Sequence, residues 1–101
     1  MNNVRSGGGV RELAEFSPLV DRFLTRLPTR LDQFDTALQA NDWLGVERLA
    51  HQVKGASSCY GFPDIAHEAS RIEVIAKNKS NLSLIREGLE KIRSIVRRAH
   101  R

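Results

Sequence analysis

From Val20 onward the apolar residues recur at steps of three and four: Val20, Leu24, Leu27, Leu31, Phe34 and Leu38. A helix turns once in about 3.6 residues, so this is one stripe along one face. It runs straight through Pro28. The spacing predicts a single long helix over 18–40, with Ser17 as N-cap and Pro18 at the first helical position. A kink is expected at Pro28, which has no N–H for the carbonyl four residues back. "AND" closes the helix, and either Asn41 or Asp42 suits the cap of the next one, which should reach about Tyr60 before Gly61 stops it. Pro63 opens a third helix with the stripe Ile65, Ala69, Ile72 and Ala76, and "NKSN" reads as a turn. The last helix presents Leu82, Ile85, Leu89, Ile92, Val96 and Ala99. Its Gly88 is a weak point costing about 1 kcal/mol relative to alanine. Ahead of these, "VRELAEF" reads as a short extra N-terminal helix.

Strand-type alternation is absent, and the connections between stripes are short. The expected fold is all-α, an antiparallel four-helix bundle. Residues 1–9, which hold Gly7-Gly8-Gly9, read as a flexible N-terminus, and 10–101 as one domain. A chain of 101 residues supports one hydrophobic core and, with it, one main function.

Composition changes the picture little. Hydrophobic residues at 41% and charged residues at 28% are the balance of a globular protein. No apolar run approaches the roughly 18 residues of a membrane span, and "MNNVRSGGGV" lacks a signal-peptide core, so a cytoplasmic protein is expected. Cys59 is the only cysteine and reads as a small packing residue. The net charge of +4 raises nucleic acid or an acidic protein as a partner. The whole excess, however, lies in 86–101, where a basic last turn complements the helix dipole. A basic binding module is therefore the alternative reading rather than the first.

The chemistry gathers in "LAHQVKGASSCYGF". With His51 at zero and about 100° per residue, Val46, Leu49, Val53, Ala56 and Tyr60 fall on the opposite side as the expected core. Lys54, Gly55 and Ser58 share the histidine's exposed stripe. A mid-helix glycine costs about 1 kcal/mol, and beside an exposed imidazole it leaves room for another body to approach. Lys54 suits an anion held near the ring, a phosphoryl group above all. A nucleophilic imidazole also gains from a group that binds its second nitrogen and fixes the tautomer. Glu73 falls at the margin of its helix's apolar stripe, where it is either such an orienter or a rim ion-pair residue. No phosphate-binding glycine loop is present, so phosphorylation from ATP is not expected. His67 faces outward, His100 lies in the terminal turn, and no Cys/His pair has zinc-ligand spacing.

"AHQVKGASSCYGF" followed by "ASRIE" resembles the histidine phosphotransfer (HPt) domain family of two-component phosphorelays. Ala50, His51, Lys54, Gly55, Ala56, Ser57, Gly61 and Glu73 stand at the offsets of that pattern, and Asp42-Trp43 resembles its lead-in. The resemblance implies an HPt-like bundle in which His51 takes a phosphoryl group on Nε2 from a receiver aspartate or partner kinase and returns it to a response-regulator receiver. Hybrid sensor histidine kinases and receivers are the implied partners. The chain then needs no cofactor of its own, since Mg2+ belongs to the receiver. Lys54 is implied to stabilise phosphoryl charge, Gly55 to give clearance, Glu73 to hold Nδ1, and Ser58 to contact the phosphate or its water. The implied protein is a carrier without kinase activity of its own.

Overall fold

The computed structural model describes residues 18–99, which form four helices: α1 (Pro18–Gln39), α2 (Trp43–Cys59), α3 (Pro63–Lys77) and α4 (Leu82–Ala99). The short helix expected at "VRELAEF" and the cap expected at Ser17 lie outside the described residues. Each helix packs on the next, α2 against α3 most closely, and α1 also meets α4, which closes the bundle. Among the described residues no helix is long and apolar enough to cross a membrane.

α1 continues through Pro28, which sits on its exposed face, and buries all six residues of its stripe. A proline on the wet side leaves the packing stripe intact. Three helix ends close in one way. The N–H of Asp42 reaches Ala37 O at 2.8 Å, that of Phe62 reaches Ser57 O at 2.8 Å, and that of Ser80 reaches Ile75 O at 3.2 Å. The residue before each is left-handed: Asn41 at φ 55°, Gly61 at 81° and Lys79 at 50°. This is the Schellman closure, which satisfies the last carbonyls by turning one residue left-handed. The two candidates for capping α2 divide the work, since Asn41 ends α1 while Asp42 Oδ1 accepts the Gly45 N–H at 2.9 Å. Asn81 starts α4 likewise, accepting from Leu84 N at 3.1 Å.

The expected stripe of α3 is buried throughout, but two expected stripes shift. On α2 the fully buried residues are Val46, Ala50, Val53 and Ser57, while Leu49, Ala56 and, at its C-cap, Tyr60 are only half-buried. The core side of α2 is rotated by about 50° from the phase its large apolar residues suggested. Small Ala50 and Ser57 take the places nearest the neighbouring helices, because a closely packed helix pair is best served where side chains are short. Ser57 Oγ is buried there with no hydrogen-bond partner among the described residues. On α4, Leu82 is exposed while Gly88 and Ile95 are buried. Gly88 is a contact and not merely a weak point: a Cβ there would stand 3.1 Å from Ile72 Cδ1 and Cγ1. Cys59, expected to pack, is exposed.

Arg93 ties α4 to α1 through Asp35 at 2.8 Å, with Asp32 at 3.7 Å and Glu90 at 3.8 Å further off. Phe23 of α1 packs between Tyr60 and Phe62, with ring centroids 5.3 and 5.7 Å away, and so fixes α1 against the α2–α3 turn.

Candidate functional site

His51 stands on α2 with its side chain 69% exposed, one residue beyond Ala50, which is fully buried. Burial of Ala50 sets the helix rotation, and the rotation puts the imidazole on the rim of the α2–α3 seam. Glu73 reaches that rim from the middle of α3, flanked by buried Ile72 and Ala76, with only 17% of its side chain exposed. Its Oε2 lies 3.1 Å from His51 Nδ1, and its Oε1 lies 3.0 Å from Lys54 Nζ. One carboxylate thus serves both partners. The question left open by phase is answered by geometry, since Glu73 is at once an ion-pair residue and the group on Nδ1.

The bond from Lys54 holds the Glu73 carboxyl below its ordinary value; burial opposes this, and the bond and charge of His51 add to the lowering. The carboxylate is therefore the form that faces the ring. Accepting from Nδ1–H, it favours the tautomer with a free lone pair on Nε2, the nitrogen on the far side of the ring.

Gly55 lies one turn beyond His51, exposed, and a Cβ built on it meets nothing within 4 Å. Nothing among the described residues requires a glycine there. Ser58, a further turn along, is exposed and makes no side-chain hydrogen bond among the described residues, so the structure does not join it to His51, Lys54 and Glu73. His67 is exposed on α3 and apart from this group, and His100 lies outside the described residues.

The other flank of the imidazole carries no signal in the residue spacing. A cavity of about 300 Å3 beside the ring is lined by Glu47, Arg48, His51, Gln52 and Glu73. Gln52 also lines a second groove of about 280 Å3 between α1 and α2, and there its Oε1 accepts from Arg30 Nη1 at 2.8 Å. Arg22, Arg26 and Arg30 edge this groove, and Leu19, Phe23, Ala56 and Tyr60 supply apolar lining. The four-residue spacing of those arginines is visible in the chain; that they border a groove sharing Gln52 with the cavity beside His51 depends on how α1 lies on α2.

The four helices close into a bundle, with the His51 imidazole on its rim bonded through Nδ1 to Glu73, beside a lysine and an uncrowded glycine. The model of the Hpt domain family matches residues 18–101, and the chain belongs to that family. Neither a curated protein nor a solved structure matches it. Hpt domains are phosphocarriers of two-component phosphorelays rather than enzymes, and they work with receiver domains and kinases.

Proposed function

We propose that His51 is the phosphorylated residue. Its Nε2 takes the phosphoryl group from a receiver aspartyl phosphate, or from a hybrid sensor histidine kinase, and gives it to the aspartate of a response-regulator receiver in the cytoplasm. The observation that carries this reading is the 3.1 Å contact of Glu73 Oε2 with Nδ1 on an imidazole whose other edge is open.

In the forward step the Nε2 lone pair forms a bond to phosphorus as the P–O bond to the receiver aspartate breaks, and the return step reverses this. Such transfers depend on alignment and on charge stabilisation more than on covalent assistance. This chain supplies an imidazole held in one tautomer, and Lys54 lies close enough to the ring's partner to offset negative charge. Gly55 leaves space for the incoming domain. The receiver brings Mg2+ and most of the remaining groups, so the carrier has no cofactor of its own, and Ser58 is left as a solvent-side contact to phosphate or water. The α1–α2 groove, apolar in its lining and edged by arginines, adjoins the ring's cavity at Gln52 and is where a docked receiver would rest.

The basic-module alternative rested on the C-terminal charge. On α4, Arg93 is engaged with Asp35, Arg97 Nη2 lies 3.8 Å from Glu90, Arg98 donates to Ser94 and Lys91 lies 3.9 Å from Glu87. Lys91, Arg93 and Arg97, which already face carboxylates, have less to offer a polyanion, which weighs against that reading.

The test is His51→Gln. Incubated with a labelled phospho-receiver, the wild type should take label on His51 and the variant none. Label that persists in the variant, or that maps to His67 or His100, would remove the assignment.

A further inference from the structure

We propose that Arg48 binds the phosphoryl group carried on His51; this rests on the reading of His51 as the phosphorylated residue. Lys54 is the cation that the spacing singles out, yet its Nζ lies 3.0 Å from Glu73 Oε1. Much of its charge is spent on that carboxylate. At about 100° per residue, Lys54 stands roughly 60° from His51 toward α3, and Arg48 stands roughly 60° from it on the other side.

Arg48 and His51 line the same cavity of about 300 Å3, which Lys54 does not line. Glu73 holds Nδ1 at 3.1 Å, so a group bonded to Nε2 projects away from the α3 seam. That is the side on which Arg48 stands. The cavity also carries two carboxylates, Glu47 and Glu73. A phosphoryl dianion entering it meets like charge from both, and Arg48 is the cation in the lining that offsets them. Arg48 is exposed and has no ion pair among the described residues, so its guanidinium is available. The planar guanidinium offers two parallel N–H donors that match two phosphoryl oxygens, which a lysine cannot do. Gln52, already hydrogen-bonded to Arg30, borders the same space from the α1 side.

The experiment uses no partner protein. The full chain is incubated with phosphoramidate, which transfers a phosphoryl group to histidine: the Nε2 lone pair forms the N–P bond, the P–N bond of the donor breaks and ammonia leaves. Phosphorus-31 NMR follows both the growth of the signal and its pH titration. Arg48→Ala should label on the order of tenfold more slowly than wild type, the effect of one charge-assisted contact. Arg48→Lys should fall between them, and Glu47→Gln should label faster. The phosphoryl group should also lose its second proton at higher pH in Arg48→Ala than in wild type, because a nearby cation favours the dianion. A merely structural arginine would not move that titration. If Arg48→Ala keeps the wild-type labelling rate and phosphoryl titration, the inference is overturned while the carrier reading stands. If wild type takes no label on His51, the carrier reading fails and this inference fails with it.

Discussion

Gly55 and Glu73 are the two residues whose substitution should separate folding from function. A Cβ at Gly55 would have nothing within 4 Å among the described residues, so a side chain there meets no obstacle from them. Gly55→Gln should therefore stabilise the helix by about 0.5–1 kcal/mol, since glycine is among the poorest helix residues. The same variant should transfer phosphoryl from a receiver at least about tenfold more slowly, because the new side chain stands where the partner approaches. Urea denaturation and a transfer assay on one preparation would show both, and unimpaired transfer would remove the reason given for the glycine. For Glu73 the sign follows from its lowered pKa. Below the ordinary carboxylate range the unfolded chain binds the proton first, so the stabilisation is complete above that range and is lost as pH falls through the lower folded value. Wild type should lose more stability than Glu73→Gln between pH values of about 6 and 3, read from urea midpoints. Nitrogen-15 NMR of the His51 ring should show the Nδ1–H tautomer in wild type and Glu73→Gln, and a mixture in Glu73→Ala.

At the scale of the element, the shared closure of α1, α2 and α3 lets one rule be tested with opposite signs. Gly61 and Lys79 occupy the same left-handed position, at φ 81° and 50°, but only glycine is free of the Cβ cost there. Gly61→Ala should destabilise the protein by about 1 kcal/mol, and Lys79→Gly should stabilise it by about 0.5–1 kcal/mol, the gain reduced by the greater freedom of glycine in the unfolded chain. Thermal or urea unfolding of the two variants decides it; equal signs would mean that the left-handed residue is not what limits these turns.

At the scale of the whole molecule, the arginine-edged groove between α1 and α2 joins the site at Gln52. If receivers rest on it, its charges steer and hold them. The double variant Arg22→Glu/Arg26→Glu should weaken receiver binding on the order of tenfold and flatten or invert its dependence on salt, with unchanged circular dichroism. Titration calorimetry at two ionic strengths would measure it. Unaltered affinity would place the docking surface elsewhere on the bundle.

Read alone, the chain determined four helices, their ends and the exposed imidazole, because three-four spacing, caps and Gly61 are local signals. His51, Lys54 and Gly55 were legible for the same reason, since all three lie on one helix. Glu73 stayed undecided until α3 was laid against α2, because a bond across 22 residues depends on the relative rotation of two helices. That rotation is governed by small residues, Ala50 and Ser57, whose burial hydrophobicity does not announce. Gly88 looked like a flaw for a related reason: its merit is the approach of Ile72, which belongs to another helix. Arg48 shows the same division. Its distance from His51 along the chain was plain, but only the packed structure gives Lys54 to Glu73 and leaves Arg48 lining the cavity beside the ring.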